Sequence, residues 1–536
     1  MKLSTSVLSL AWAGLATARV PAMNDLYDYI VVGGGPSGII TASRLAEANK
    51  KVLLLERGQG PTVQTGAEPM VWNDTLTAVD VPALAPGISG YFCDDTPGSA
   101  ACVLGGGVSI NYLVFVRPAA HDFQNWPTGW KWDDIAPAAE RLYERNPGST
   151  LPSADGERYD QGLYDTIQPV LEKSGWSAVD MLEQPNEKHE VYSYPAWNIK
   201  DSMRAGPLRT YLPEAQKKPG FTLRTGAKTT RVIRRKNRVT GVEFEVDGKK
   251  ETVSLCNTGR VVLSAGAMGT PRILFNSGIG PQDQIEAAQK SGVKVPSKKD
   301  WIKLPVGQNL KDHPIFSIRV QTDGDFDLTN VAGAINGTDT ENISIYEEAG
   351  SGVLSQGRHR IIFFTSRNGT DGITRYYQGS LAAAGPGLLG ITSYMTHGLT
   401  SQGAFSIHPN GTGYFSENVH LTTDADKEGA EAFVNNMVEL FTSSETGFSL
   451  AEGTNATTIL ENFTSGNHYV GSAKMGADDG RKGGSSVVDL NTKVYGTDNL
   501  FVTDASMHPD LPTGNTQAIV MVAAEAAVAK ILAYRG

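Results

Sequence analysis

The chain has 536 residues, of which 40% are hydrophobic and 19% are charged. This length exceeds the roughly 100–200 residues of a typical domain, so we expect two or more packed units with a large core. The composition, with 59 glycines, excludes the disordered, collagen-like and coiled-coil classes. The net charge is −10 and no block of lysines and arginines occurs, which argues against a nucleic-acid partner and favours a small-molecule substrate.

The first residues are typical of a secretory signal peptide. Lys2 precedes an apolar run over residues 3–15, which leads into the small-x-small pattern Ala16-Thr17-Ala18. The run is shorter than the roughly 20 residues that span a bilayer, and no later stretch reaches that length, so we expect no membrane anchor. The predicted signal peptide covers residues 1–18, and the predicted location is secreted and extracellular.

Cysteines and glycan acceptors agree with an extracellular location. Cys93 and Cys102 are close enough in sequence to close a small disulfide loop, and we expect Cys256 to stay free and buried. Acceptors for N-glycans are typical of a secreted glycoprotein, and most of them follow residue 330, which predicts that much of that region is surface. The acceptors are Asn73, Asn336, Asn342, Asn368, Asn410, Asn455 and Asn462.

Residues 27–56 predict a strand–helix–strand unit that binds a dinucleotide. Residues 27–32 and 51–56 are typical of short buried strands, and residues 39–48 have a helical pattern. The motif Gly33-x-Gly35-x-x-Gly38 lies between them, where glycines allow a tight turn, a close approach to the pyrophosphate and close helix–strand packing. The helix N-terminus offers N–H groups to the anion, and Glu56 is placed to accept hydrogen bonds from the adenosine ribose. These features do not separate NAD from FAD.

Further predicted strands lie far downstream, so we expect the nucleotide-binding domain to be discontinuous. They cover residues 221–224, 230–234, 242–246, 260–264 and 500–503. An apolar helix is predicted over residues 516–534. No repeat, low-complexity segment or linker separates the units, which predicts that the two domains are interleaved along the chain.

Four ordered motifs resemble those of the glucose–methanol–choline (GMC) flavin oxidoreductases. Residues 101–111, Ala-Cys-Val-Leu-Gly-Gly-Gly-Val-Ser-Ile-Asn, are similar to the family's first signature, with Val108 where a small residue is usual. Residues 266–280 match the second signature throughout. Residues 304–313 and the C-terminal run Asp504-Ala505-Ser506 extend the resemblance over nearly the whole mature chain.

The resemblance implies the GMC fold of mixed α/β and α+β class, with a Rossmann-type FAD-binding domain interleaved with an antiparallel-sheet substrate domain. The FAD domain is expected over residues 25–120, 215–312 and 465–536, and the substrate domain over residues 121–214 and 313–464. FAD is expected to bind non-covalently, because Ile110 precedes Asn111 where covalently flavinylated members have a histidine. The predicted cofactor residues are Gly33, Gly35, Ser37, Gly38, Glu56, Gly107, Asn111, Val232, Asp504, Ala505 and Thr516.

Within the family, the sequence is most similar to the flavodehydrogenase part of fungal cellobiose dehydrogenases. The likeness lies in residues 29–33, 51–58, 204–207 and 511–515. Gln402 stands where those enzymes have an arginine that helps to hold the sugar. The prediction is therefore a related enzyme rather than one specific for cellobiose.

Two residues are expected to carry the chemistry. Oxidation of an alcohol by a flavin needs a base for the hydroxyl proton while hydride leaves the same carbon for N5, and histidine suits that role. The resemblance places His468 as this base and Asn515 as the residue that hydrogen-bonds the substrate oxygen. The expected substrate is a sugar hydroxyl or an aryl alcohol. An external electron acceptor is expected as the second partner, and a dehydrogenase is expected rather than an oxidase.

Other chemistries have less support in the sequence. The remaining histidines are not spaced as metal ligands and the three cysteines form no C-x-x-C motif, so no metal is expected. No G-x-S-x-G elbow supports a serine hydrolase. Three alternatives stay open: a biosynthetic GMC dehydrogenase, a flavin-holding lyase without net oxidation, and a redox-silent binding protein. The expected assembly is a monomer or a weak oligomer.

Overall fold

The computed structural model describes residues 26–535, so the predicted signal peptide lies outside the described residues. The chain begins with a strand at Leu26–Val32, a helix at Pro36–Glu47 and a strand at Val52–Leu55. The two strands pair in parallel, with Tyr29 opposite Val52 and Val32 opposite Leu55. Their buried apolar residues suit a sheet that is covered on both faces, and Pro36 suits the first turn of the helix. The predicted strand–helix–strand unit is confirmed.

The first sheet has seven strands and carries this unit at its centre. Val52–Leu55 pairs in parallel with Phe221–Arg224 on one side of the unit. Leu26–Val32 pairs in parallel with Lys249–Leu263 on the other side. The remaining pairs are antiparallel, apart from the parallel strand near the C-terminus. The sheet order is Phe221–Arg224, Val52–Leu55, Leu26–Val32, Lys249–Leu263, Arg238–Val246 and Lys228–Arg235, with Leu500–Val502 paired to Lys249–Leu263.

The second sheet has eight strands and is antiparallel except for one short pair at its edge. Its four longest strands form the middle of the sheet, and their alternating side chains cover a second apolar core. The order is Ser449–Leu450, Pro314–Gln321, Leu388–Met395, Thr374–Gly385, Ile361–Asn368, Val191–Ser193 and Ser177–Ala178, with Thr464–Ser465 paired to Pro314–Gln321. Two small hairpins add Ile199–Lys200 with Met203–Arg204, and Ala404–Ile407 with Gly413–Glu417.

Helices cover both sheets. The C-terminal helix, Gln517–Ala533, is apolar on all sides and therefore buried, and it packs against the helices at Pro36–Glu47 and Trp132–Arg145. Its one buried acid, Glu525, pairs with Arg44 at 2.8 Å and accepts a hydrogen bond from the Tyr211 hydroxyl at 2.6 Å. The other helices are Gly107–Ile110, Gly162–Lys173, Pro207–Thr210, Leu212–Gln216, Gly266–Asn276, Gln282–Lys290, Val331–Asn336, Thr340–Ala349, Asp424–Thr442 and Ala456–Glu461.

The two sheets draw on different stretches of the chain. All strands of the first sheet lie within residues 25–120, 215–312 and 465–536, and the second sheet draws on residues 121–214 and 313–464 apart from Ser465. The predicted fold class is confirmed as a mixed α/β fold in which a Rossmann-type unit is interleaved with a largely antiparallel domain. The domain boundaries themselves stay a proposal, which this distribution of strands supports.

One cysteine differs from expectation in its exposure, and two tryptophans belong to the core. Cys256 is half-exposed rather than buried. It lies where the strand Lys249–Leu263 shifts register against Leu26–Val32, and its thiol donates to Asp28 at 3.4 Å. Trp126 and Trp130 are fully buried and pack on one another, so they belong to the core. Among residues 26–535, no helix has the length and apolar character that crossing a membrane requires.

Candidate active site

The glycine turn after the first strand has the geometry that the motif predicts. Gly33 has φ +101°, and a Cβ there would lie 2.3 Å from the Ser264 carbonyl oxygen. A Cβ at Gly38 would lie 1.8 Å from the Gly33 carbonyl oxygen, so helix and strand meet too closely for any side chain. Nothing lies within 4 Å of a Cβ placed at Gly35, which leaves open space above the helix N-terminus.

A deep cavity starts at this turn and runs to the C-terminal segment. It is lined by Lys228 and Thr229 of the first sheet and by the N-terminal part of the helix Gly266–Asn276. Most of the predicted cofactor residues and the predicted base lie on its wall. These are Gly33, Gly35, Ser37, Glu56, Gly107, His468, Asp504, Ala505 and Thr516.

Glu56 is held rigidly at the cavity wall. One carboxylate oxygen accepts the Gly34 N–H at 2.6 Å, and the other accepts the Gly58 N–H at 2.7 Å. The side chain is buried, and burial raises the pKa of the carboxyl to about 7, although both N–H donors favour the ionised form. Each oxygen keeps a further lone pair, so the carboxylate can also accept the hydroxyl groups of a ribose.

The residues present fit a flavin dinucleotide. The Ser37 hydroxyl is buried at the first turn of the helix Pro36–Glu47 and has no hydrogen-bond partner in the described chain. A buried hydroxyl is rarely left unpaired, so its position beside the open space at Gly35 suits a phosphate oxygen. Gly107 likewise has nothing within 4 Å of an added Cβ. The N–H groups of the helix N-terminus, the Ser37 hydroxyl, the Glu56 carboxylate and the open positions at Gly35 and Gly107 are therefore suited to binding FAD.

Asp504 ties two elements of the cavity together. Its carboxylate accepts N–H groups from Gly266 and Ser506, each at 2.9 Å, and hydroxyl groups from Thr270 and Ser506. Burial raises the pKa of this carboxyl above its ordinary range. The carboxylate thus fixes the N-terminus of the helix Gly266–Asn276 against the segment that leads to Asn515.

Three predicted cofactor residues do not line the cavity. Gly38 serves the packing beneath it, as described above. Asn111 turns its side-chain oxygen to Arg204 and to the Leu113 N–H, at 3.1 and 3.0 Å. Val232 is buried, and its N–H donates to the Ser277 hydroxyl at 2.9 Å. The assignment of Val232 stays a prediction; Lys228 and Thr229, at the start of the same strand, are the residues of this strand that line the cavity.

His468 and Asn515 come together from different segments. The Asn515 Nδ2 atom lies 3.4 Å from His468 Nε2. The His468 ring stacks on Tyr394, with 5.4 Å between ring centroids, and its backbone N–H donates to Asp312 at 2.6 Å. Burial lowers the pKa of His468, and the Asp312 carboxylate opposes that shift. The ring is therefore neutral at neutral pH, which is the state that a general base requires.

Residues just before the strand Pro314–Gln321 form the far side of His468. His313 is fully buried and its Nδ1 atom lies 3.0 Å from His468 Nδ1. Burial and the neighbouring His468 lower the pKa of His313 well below its ordinary value. Asp312 also accepts from His420 and from the Ser465 hydroxyl, which lowers the pKa of its carboxyl. Asp312 and His313 carry no predicted role, although both lie at the end of the family motif at residues 304–313.

The predicted disulfide is present and closes one wall of the cavity. Cys93 and Cys102 are bonded, with 5.2 Å between their Cα atoms. Cys93, Thr96 and Ser99 of this loop line the cavity. Asp95 in the same loop pairs with three cations, Arg57, Lys228 and Arg272, at 3.1, 2.8 and 2.7 Å. The loop is thus fixed both covalently and by charge.

Comparisons with known proteins agree with this geometry. The family models for GMC oxidoreductase match residues 27–315 and 407–524. The chain is 27% identical to an oxygen-dependent choline dehydrogenase of Photobacterium profundum, over 95% of this chain and 94% of the relative. It is also 27% identical to a chloroplastic fatty acid photodecarboxylase of Chlamydomonas reinhardtii, over 96% and 91%.

Among solved structures, a formate oxidase variant of Aspergillus oryzae superposes with a TM-score of 0.77 at 19% identity, over 96% of this chain and 99% of that chain. At that identity the likeness shows the shared fold alone. No group of three or more His, Cys, Asp or Glu side chains that could hold a metal occurs in residues 26–535. The chain belongs to the GMC oxidoreductases, FAD-dependent flavoproteins that act on CH–OH groups.

Proposed function

We propose that this protein oxidises a sugar hydroxyl, primary or lactol, or an aryl alcohol, with His468 as the base and Asn515 as the hydrogen-bond donor to the substrate oxygen. The observation that carries the proposal is the half-buried pair of His468 Nε2 and Asn515 Nδ2, 3.4 Å apart, of which His468 lines the cavity assigned to FAD. An alcohol oxygen that contacts both atoms can lose its proton to His468 Nε2 while Asn515 Nδ2 donates a hydrogen bond to it.

Side chains of this protein accept the hydroxyl proton and orient the alcohol oxygen. His468 is neutral and receives the hydroxyl proton at Nε2, which makes loss of hydride from the same carbon feasible. Asn515 donates from Nδ2 to the oxygen as negative charge develops there, and such an aimed donor stabilises the transition state. Bound FAD supplies the two-electron acceptor for that hydride.

Cofactor binding is assigned to backbone N–H groups at the glycine turn, to Ser37 and to Glu56. The open space at Gly35 and the unpaired Ser37 hydroxyl suit the diphosphate, and Glu56 suits the ribose. Ile110 precedes Asn111, so no histidine is available at that position for a covalent link. We therefore propose non-covalent FAD.

Dehydrogenase activity toward an external electron acceptor remains our proposal. Relatives named as choline dehydrogenase and ecdysone oxidase support an alcohol substrate. A biosynthetic dehydrogenase of one secondary metabolite is the alternative among oxidoreductases. A relative named as a fatty acid photodecarboxylase keeps the lyase alternative open, because such a protein shares the family without alcohol oxidation in its name.

Secretion is also a proposal, and described residues support it. The disulfide between Cys93 and Cys102 suits an oxidising compartment. Five of the predicted glycan acceptors are exposed, and the other two are half-buried. The exposed ones are Asn336, Asn368, Asn410, Asn455 and Asn462. We propose a monomeric or weakly associating glycoprotein.

The test is anaerobic bleaching of the flavin's visible band by a panel of glucose, cellobiose, anisyl alcohol, veratryl alcohol and choline. Bleaching by a sugar or an aryl alcohol supports the proposal. Mandelonitrile is added as a lyase probe, and its cleavage without bleaching by any alcohol would contradict the proposal. Reoxidation of the reduced enzyme by oxygen and by a quinone then separates an oxidase from a dehydrogenase.

A further inference from the structure

Asn515 is held by a residue of the opposite domain. Gln378 lies on the strand Thr374–Gly385 of the second sheet and is fully buried. Its Oε1 atom accepts the backbone N–H of Asn515 at 3.1 Å, and its Nε2 atom donates to Asn515 Oδ1 at 2.8 Å. Nε2 also donates to the Ser380 hydroxyl at 3.1 Å. The two amides thus meet at two points across 137 residues of sequence.

This arrangement determines which way both amides face. A backbone N–H can only donate, so the Gln378 atom beside it must be the oxygen. The Gln378 nitrogen then faces the Asn515 side chain, and because that nitrogen also only donates, the atom opposite it must be Oδ1. Asn515 Nδ2 is left pointing at His468 Nε2. One backbone N–H therefore fixes two side-chain orientations.

The same logic extends to the tautomer of the base. Asn515 Nδ2 donates toward His468 Nε2, so Nε2 holds a lone pair and Nδ1 carries the proton. Nδ1–H donates to His313 Nδ1 at 3.0 Å, which leaves the His313 proton on Nε2, a buried atom with no hydrogen-bond partner in the described chain. His468 is thereby ready to accept a proton at the atom that faces Asn515.

We propose that Gln378 is a positioning residue, which orients the Asn515 amide and through it holds His468 in the tautomer that can act as a base. Its place on the sheet supports this role. Gln378 pairs directly with Tyr394 on the neighbouring strand, so the two side chains share one face. Tyr394 stacks on His468 while Gln378 holds Asn515. The inference rests on the proposed function, because it assigns a supporting residue to that reaction.

Several titratable groups surround this cluster. Burial raises the pKa of Tyr394 to about 12 and lowers the pKa of His121, which contacts the Thr513 hydroxyl at 2.7 Å. Tyr394, Asp312 and His313 contact His468. His121, Tyr376 and His397 form a second cluster of rings that contact one another, and His397 interacts electrostatically with His313. Any titration of these groups is shared by the parent protein, so a change seen only in a variant at position 378 belongs to the introduced group.

The decisive variant is Gln378→Glu, which keeps the size of the side chain. While the introduced carboxyl is protonated, its carbonyl accepts the Asn515 N–H and its O–H donates to Oδ1, so the parent arrangement persists. Once ionised, both oxygens only accept, and Asn515 must turn Nδ2 toward the carboxylate and Oδ1 toward His468. The favoured His468 tautomer then carries the proton on Nε2 and no longer has a lone pair for the substrate.

The first readout needs no substrate: ¹⁵N NMR of the FAD-loaded protein with ¹⁵N-labelled histidine, with His468 assigned by the missing signal in His468→Ala. We expect Nδ1–H and a lone pair on Nε2 in the parent at all pH values where the ring is neutral. In Gln378→Glu, the tautomer should reverse as pH rises. An Nδ1–H tautomer that persists in this variant after the carboxyl ionises would overturn the inference, whether or not any alcohol reduces the flavin.

The second readout is the rate of flavin reduction by the fastest alcohol of the panel. Gln378→Glu should match the parent at low pH and fall by about 10²-fold as pH rises, the usual loss for a misplaced donor in such a site. Flavin reduction by the Gln378→Met variant should be slow at every pH, with no additional pH-dependent fall in the rate. A Gln378→Glu profile that is parallel to the parent's would overturn the positioning role and leave the proposed oxidation intact.

A matched control comes from Gln356, a second buried glutamine that holds a partner at two points. Its amide accepts the Tyr159 N–H and donates to the Tyr159 carbonyl, at 3.2 and 2.8 Å. Gln356→Glu introduces the same buried carboxyl away from His468 and Asn515. We expect no new pH limb in its flavin reduction. A limb of equal size in this control would show that a buried carboxyl acts nonspecifically, which would also overturn the inference.

Discussion

Alanine substitutions at Gly38 and Gly35 of the nucleotide turn should have different effects: the first should lower stability, and the second should weaken cofactor binding. At Gly38, an added Cβ would lie 1.8 Å from the Gly33 carbonyl oxygen, more than 1 Å inside the 3.0 Å limit of real contacts. The helix Pro36–Glu47 must then move away from the strand, and such overpacking costs about 1–3 kcal/mol of unfolding free energy. At Gly35, an added Cβ meets nothing within 4 Å and φ is −71°, so Gly35→Ala should change the stability of the apoprotein by less than about 0.5 kcal/mol.

The assay measures both properties in the same variants. Urea unfolding of the apoprotein should show a loss for Gly38→Ala alone. FAD titration, followed by flavin fluorescence, should show weakened binding for Gly35→Ala, because the added methyl group occupies the space assigned to the diphosphate. Parent-like FAD affinity in Gly35→Ala would refute the placement of the diphosphate at this turn. Parent-like stability of Gly38→Ala would refute the packing role.

Three further outcomes follow from the cavity wall and the base. FAD affinity should fall about tenfold as pH drops below about 7, because protonation of the Glu56 carboxylate removes a hydrogen-bond acceptor for the ribose. Glu56→Gln should abolish this pH dependence in FAD titrations. An unchanged pH dependence in that variant would contradict the assignment of Glu56 to the ribose. Acid precipitation should release all the FAD into the supernatant, and flavin left in the pellet would contradict non-covalent binding. Burial lowers the pKa of His468, so the rising limb of kcat/KM against pH should lie below the ordinary histidine range, and a limb above that range would contradict the neutral resting base.

The disulfide loop offers a separate test of cofactor retention. In the double variant Cys93→Ser and Cys102→Ser, the loop that lines the cavity loses its covalent closure but keeps the ion pairs of Asp95. We expect the unfolding free energy to fall by about 2–3 kcal/mol and FAD to dissociate faster in a dilution experiment. A parent-like FAD dissociation rate would contradict the role of this loop as a cavity wall.

Local signals in the sequence were sufficient for the nucleotide unit. The spacing of Gly33, Gly35 and Gly38 predicts the turn from residues close together in sequence. The helix Gln517–Ala533 was predicted to within one residue at each end because its apolar run is continuous. The disulfide was also predictable, since its two cysteines are only nine residues apart.

Contacts between distant segments could not be predicted in the same way. The contacts of Gln378 with Asn515 and of His313 with His468 span 137 and 155 residues, and they depend on the register of an antiparallel sheet that no single segment encodes. Val232 shows the same limit within one strand, because the alternation of side chains does not tell which end of the strand meets the cavity. Cys256 was expected in the core, but its exposure depends on where the long strand shifts register against its neighbour.

The proposed mechanism depends most directly on His468, and one measurement addresses it. We expect His468→Ala to bind FAD with the parent's affinity and absorption spectrum, while anaerobic flavin reduction by the best alcohol of the panel slows by about 10²–10⁴-fold. His189→Ala is the matched control, because this histidine is exposed and contacts Ser366 rather than the cavity. Near-parent flavin reduction in His468→Ala, with FAD fully bound, would show that another group takes the proton.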